Sequence, residues 1–380
     1  MVLALMTALG LLLQTPPAPR ALSFAEPGWD LRGASIARHD GRDVMQMETG
    51  FGFRRDVRLE DGTIEFDVQM TDRRSFAYLY FRAESDGERE EIYLRPHKSN
   101  LPDAVQYAPV WQGRSAWQLY HGAGATAAAG FEPGAWTHVR LVVQDRSAAV
   151  FIGDMTTPAM VVPRLARDPR AGYIALGGFL PRGVPGSGPI ARFSNVVVTS
   201  GHVPFDFAEA RAEAGSVKPA PGTIARWSVS EAFAAPTGDV RTLPPATGFR
   251  MIDAESSGLV PLHRHITVPA GGAPAAAVAR VTLQAPADGT YAFDLGFSDI
   301  ATVFVNGAPI FRGDASYSFD RPRRDGLIGF DQARLYLPLR EGANELAIVV
   351  SDSFGGWGIM ARFYAYASIG GQLQIRFRSP

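Results

Sequence analysis

Hydrophobic and polar residues alternate along much of this chain, most sharply in its first half. In residues 62–70, Ile64, Phe66, Val68 and Met70 are separated by Glu65, Asp67 and Gln69. That period of two predicts a half-buried strand, because successive side chains of a pleated strand point to opposite faces. Residues 76–83 set Ala77, Leu79 and Phe81 against Phe76, Tyr78, Tyr80 and Arg82, so the second face is aromatic. Glu91, Tyr93 and Arg95 oppose Ile92 and Leu94; Gln118 and Tyr120 oppose Trp117 and Leu119; His138 and Arg140 oppose Val139 and Leu141. In a single sheet, these strands would gather Tyr78, Tyr80, Arg82, Tyr93, Arg95, Gln118, Tyr120 and Arg140 on one surface, the kind of face that antiparallel sheets leave for partners. Residues 148–152, 172–177 and 191–199 predict further strands.

Residues 204–222 are rich in Ala, Pro and Gly, and 205–214 predict a short helix within a linker. A second β-rich unit follows. Asn306-Gly307 between two apolar runs is a hairpin signal, since both residues tolerate positive φ. Residues 334–339 and 345–350 around a turn at 341–344 predict another hairpin. At 380 residues with 40 Gly and 28 Pro, the chain exceeds one typical core and is well supplied with turns. The expected fold is all-β in two domains, 21–200 and 223–380, joined by a short Ala/Pro-rich linker at 201–222.

Residues 1–13 are apolar and precede a Pro-rich stretch. The run is too short to span a bilayer but fits the apolar region of a signal peptide, without its basic start. Residues 1–20 are therefore read as signal-like, the mature chain as periplasmic or extracellular, and no later segment as a membrane span. Zero cysteines exclude disulfides, thiolate nucleophiles and Cys-ligated zinc. A net charge of −1 supplies no field for a polyanion, so nucleic acid is not an expected partner.

Candidate chemistry concentrates in residues 91–120. A long loop is expected between a strand ending near Arg95 and another beginning near Ala116, carrying His97, Asn100, Asp103, Gln106, Tyr107 and Trp111. Aromatics interleaved with amides, a carboxylate and guanidinium groups suit a sugar, which has apolar C–H faces and a hydroxyl rim. Trp111 with Trp117 or Tyr120 would stack on it, and Arg95, His97, Asp103, Gln106 and Gln118 would bond hydroxyls. Tyr80, Arg82, Tyr93, Tyr107 and Arg140 complete the candidate ligand set. Glycoside cleavage needs two carboxyl groups in different protonation states; Asp103 with His97 or Glu91 is the candidate acid/base set, although the acidic run 84–91 reads as a solvated hairpin tip. His263 and His265 would share one side of a strand, solvent-facing and without a third ligand, so no metal site is assigned. The glycines of Gly355-Gly-Trp-Gly358 let the backbone turn beneath Trp357. No cofactor is expected; jelly rolls can hold structural Ca2+, but no motif nominates a cage.

Residues 61–68 (Asp-Gly-Thr-Ile-Glu-Phe-Asp-Val), 77–82 (Ala-Tyr-Leu-Tyr-Phe-Arg), 134–141 (Gly-Ala-Trp-Thr-His-Val-Arg-Leu) and 191–198 (Ala-Arg-Phe-Ser-Asn-Val-Val-Val) resemble the concanavalin A-like lectin/glucanase superfamily, in its laminin-G-like and keto-disaccharide-hydrolase-like branch. Residues 289–295, 301–307 and 337–347 resemble the galactose-binding-like jelly roll. The family 16-like glucanases of the first superfamily show Glu-x-Asp-x-x-Glu; here Glu65 and Asp67 are followed by Met70, which disfavours their mechanism. The resemblance implies two β-sandwich (jelly-roll) domains, a scaffold that lectins, hydrolases and adhesion modules share; with the signal-like start and residues 91–120, the expected function is an exported protein that recognises carbohydrate on the concave face and long loop of the first domain. The alternatives are a glycoside hydrolase acting on a small or modified saccharide, such as a keto-sugar, and a non-catalytic envelope adhesion or scaffold module.

Overall fold

In the computed structural model, which describes residues 18–269, 274–319, 321 and 325–364, strand Gly62–Met70 buries Ile64, Phe66 and Val68 and leaves Glu65 and Asp67 partly exposed. The signal-like run and residues 365–380 lie outside the described residues. One sheet orders its strands as Met160–Val162, Ser147–Ile152, Trp136–Gln144, Gly62–Met70, Ala191–Ser200, Arg42–Met47 and Ser35–His39. The facing sheet runs Arg114–Ser115, Val105–Trp111, Glu88–Leu94, Phe76–Ser85, Gly172–Phe179, Gly50–Leu59 and Asp30–Arg32. Every pairing is antiparallel. The core between them includes Phe66, Leu79, Phe81, Ile92, Leu141 and Phe193.

A second sandwich packs Arg250–Asp253, Arg226–Val229, Ala275–Ala285, Gly342–Asp352, Ile300–Val305 and Ala308–Asp314 against Val260–Pro261, Gly358–Phe363, Gly289–Ser298 and Ala333–Leu339. Its separate core holds Trp227, Phe293, Ile348 and Trp357. The expected hairpin forms at Asn306 and Gly307, with φ of 49° and 81°. Helix Ala208–Ser216 begins three residues later than predicted. Phe205 and Phe207 are instead buried or half-buried near Phe151, and the Asp206 carboxylate accepts the Ala208 N–H at 2.9 Å. Among the described residues, no helix is long and apolar enough to cross a membrane.

Two strand expectations are corrected. Part of the expected loop is strand Val105–Trp111, every residue of which is buried; its outer side is roofed by the following turn, so no alternation marks it. Residues 117–120, expected as a strand, form that turn: the Leu119 and Tyr120 N–H groups both bond the Ala116 carbonyl, at 2.9 and 3.2 Å. The single surface expected from Tyr78 to Arg140 is also divided. Strand Trp136–Gln144 belongs to the opposite sheet, where Arg140 pairs with Glu65 at 3.0 Å.

Candidate functional site

The outer face of the second sheet is aromatic because five strands align ring-bearing positions. One register row runs Gln106, Tyr93, Tyr78, Gly177, Phe51 across neighbouring strands. The next runs Ala108, Glu91, Tyr80, Ala175, Phe53. Gly177 is required here, since a Cβ would stand 2.0 Å from the Phe51 ring. That ring lies across the glycine, 6.0 Å from Tyr78 and stacked on Tyr80 at 4.8 Å. Phe76 meets Tyr78 at 6.3 Å and Phe179 at 6.0 Å. Phe51, Phe76 and Tyr78 are half-buried and Phe179 is 42% exposed, which leaves a platform open to a partner.

Beside the platform, on the same face, lie polar groups that satisfy one another. The Tyr93 hydroxyl donates to Gln106 Oε1 at 2.6 Å, Arg95 donates to the Tyr93 hydroxyl at 2.8 Å and to Gln106 Oε1, and Gln106 Nε2 donates to the carbonyls of Trp117 and Tyr120. Glu91, 1% exposed, takes Arg89 at 2.9 Å and the Ser115 hydroxyl at 2.6 Å, while the Arg89 guanidinium lies 3.8 Å from the Tyr80 ring centroid. Burial first, then the Glu91 charge, pushes the Tyr78 and Tyr80 hydroxyls well above the usual phenol range, so both remain proton donors.

The second sandwich supplies one edge. Trp117 meets Tyr317 edge-on at 5.4 Å, Tyr317 stacks on Phe354 at 5.9 Å, and Arg74 donates to the Tyr317 hydroxyl at 2.8 Å while lying over Phe319. His97 packs on Phe76 at 5.5 Å; burial and the cations Arg74, Arg95 and Lys98 lower its pKa to about 4, leaving the imidazole neutral at pH 7.

Other expected site residues are held elsewhere. Trp111 joins Ala116 and Leu119 in an apolar cluster with Leu259, Ile328 and Met360 of the second sandwich. Gln118 is wholly buried, accepting the Gly356 N–H at 2.6 Å and donating to Asp299 at 3.3 Å. Tyr120 donates to Glu255 at 2.8 Å. A Cβ on Gly355 would lie 2.0 Å from Gln118 Oε1, and one on Gly356 2.6 Å from Leu119. These glycines thus admit the 117–119 turn as well as bending beneath Trp357, which is core. Arg82 sits at a bulge with φ 49° and turns to the Glu60 carbonyl and Asp61. Tyr107 points inward, its hydroxyl bonding Glu90 at 2.6 Å.

The acid/base set is not assembled as one group. Asp103 pairs with Arg95 at 2.7 Å and with Lys98, and Arg95 follows Glu91 by four residues, about 13 Å of extended chain. The acidic run 84–91 is a solvated tip only in part: Glu90 is fully buried and its pKa is raised to about 7 by burial, against the Tyr107 bond and Arg167. His263 is buried in a helical turn, 3.3 Å from buried Asp352 and against Trp357, contrary to the solvent-facing expectation. Sequence reading missed Phe51, Phe179, Tyr317 and Phe354. Phe51-Gly-Phe53 carried an alternation signal, whereas nothing local pointed to Tyr317 or Phe354.

No protein-family model matches the sequence, and no curated protein matches it. Solved structures similar to part of it include carbohydrate-binding module CBM66 from Bacillus subtilis, at 15% identity over 46% of this chain and 96% of that one, TM-score 0.35. A Bacillus licheniformis beta-glucanase is 12% identical over 49% of this chain and 99% of its own, TM-score 0.37. A putative glycosyl hydrolase from Parabacteroides distasonis is 12% identical over 46% and 88%, TM-score 0.31. Each spans about half of this chain.

Proposed function

We propose that this protein recognises carbohydrate on the outer face of the second sheet, with sugar rings lying over Phe76, Tyr78 and Phe51 and against the edge formed by Trp117 and Tyr317. The observation that carries this reading is the row of open rings flanked on the same face by a buried polar network. Flat aromatic area contributes most of the contact with a sugar's C–H face, and fixed donors set its orientation. The flanking groups are already hydrogen-bonded, so few side chains need ordering on binding. Tyr80, Tyr93, Arg95 and Gln106 hold the platform in place, and His97 and Trp117 border it. Trp111, Gln118 and Arg140 leave the candidate ligand set, because their side chains are engaged elsewhere.

The test is calorimetric titration of an oligosaccharide panel into the full chain and into Phe76→Ala, Tyr78→Ala and Phe179→Ala. The expected result is a saccharide bound by the parent and at least tenfold more weakly by Tyr78→Ala. Undiminished binding by all three folded variants would reject the platform.

A further inference from the structure

We propose that the second sandwich adds an aromatic subsite of its own to the platform, so that the ligand is an oligosaccharide chain longer than a disaccharide, with units on both domains. The inference rests on the platform reading and extends it to the second sandwich. Tyr317 and Phe354 stack at 5.9 Å with their planes 30° apart, and Trp117 meets the Tyr317 ring edge-on at 5.4 Å. Phe354 is 53% exposed, more open than Phe179 of the platform.

The loop that carries Phe354 is fixed from behind. Buried Asp299 accepts the N–H groups of Ser353 and Phe354 at 2.7 and 2.8 Å and the Ser353 hydroxyl at 2.7 Å. Gln118 of the first sandwich accepts the Gly356 N–H at 2.6 Å. Backbone bonds therefore hold the ring out to solvent, and little ordering is left to be lost on binding.

Arg74 joins the two aromatic surfaces. It stands two residues before Phe76, and its Nη2 donates to the Tyr317 hydroxyl at 2.8 Å while the guanidinium lies 4.0 Å from the Phe319 ring centroid. Among the described residues Nη2 is its only hydrogen-bonded nitrogen, and Nε is buried without a partner. A half-buried guanidinium with five donors usually fills more of them, so Nη1 is left for oxygens that a ligand brings. A saccharide chain has the matching alternation: each ring offers an apolar C–H face, and hydroxyls and bridging oxygens fall between the rings. The line from Tyr78 through Phe76, Arg74 and Tyr317 to Phe354 has more stations than a disaccharide has rings.

Cello-, laminari-, xylo- and manno-oligosaccharides, each as disaccharide and hexasaccharide, are titrated calorimetrically into the full chain, into Phe354→Ala and into Tyr78→Ala. In a series that binds, the hexasaccharide should bind the parent at least tenfold tighter than the disaccharide. Phe354→Ala removes an exposed ring and keeps the backbone bonds to Asp299, so it should fold normally. It should keep the disaccharide affinity and lose most of the tenfold gain, whereas Tyr78→Ala should weaken both lengths. Equal affinities for the two lengths, or a gain that folded Phe354→Ala retains, would overturn the second subsite; weaker binding by Tyr78→Ala would then leave the platform standing. Binding of neither length in any series would reject the platform and this inference together.

Discussion

Residues 76–106 and residues 111–121 carry the same kinds of side chain, aromatics beside amides, yet they end in opposite surroundings. Along the first, Phe76 and Tyr78 lie at the surface of a sheet with their polar neighbours bonded beside them. Along the second, Trp111, Gln118 and Leu119 are pressed into the other sandwich, where Gly355 and Gly356 make room for them. Composition is therefore a poor guide to which aromatic meets a ligand. What separates the two is whether a second body covers the face.

The sharpest way to break this comparison is Trp111→Ala. Truncating a buried tryptophan in an apolar cluster should cost about 4 kcal/mol in unfolding free energy, read by urea denaturation, with saccharide affinity of the folded fraction unchanged. An affinity loss matching that of Tyr78→Ala would mean both regions face ligand.

Glu90 gives the next largest effect. Its folded pKa of about 7 lies above the ordinary 4.5, so the native state holds the proton more tightly than the unfolded chain. Its stabilising contribution is full below pH 4.5 and is lost as pH rises through 7, on the order of 3 kcal/mol. Denaturation followed from pH 4.5 to 8 should show this fall, and Glu90→Gln should flatten it.

Gln118→Ala leaves the Gly356 N–H without its buried acceptor and should cost about 2 kcal/mol. A cost near zero in thermal unfolding would mean that the turn is loosely docked. Smallest in stability should be Phe179→Ala, within about 0.5 kcal/mol because the ring is exposed, while its saccharide affinity falls. Parent-like affinity in this variant would confine the platform to Phe76, Tyr78 and Phe51.

Strand alternation was readable wherever one face of a sheet met the core and the other met solvent, as at Ile64 to Met70. It failed at Val105–Trp111, where both faces are covered, and at residues 117–120, where alternation described a turn with Gln118 wedged against glycines. Tyr78, Tyr80 and Tyr93 were placed on one face because parity along adjacent strands is a local property. Arg140 was wrongly joined to them, since which sheet a strand enters depends on partners distant in sequence. Arg82 was misplaced because a bulge reverses parity without a composition signal.

The sequence by itself determined that the chain would fold as β-strands, that strands 76–85 and 88–94 would turn tyrosines to one side, and that Asn306-Gly307 would make a hairpin. Each follows from the pleat or from allowed φ, which act over a few residues. Only the tertiary structure decided that Trp111 and Gln118 are sealed, that Phe51 lies across Gly177, and that Tyr120 meets Glu255 beside a cleft. Those outcomes depend on which sheets face each other and where two sandwiches touch, and the burial and electrostatics that follow belong to residues far apart in the chain.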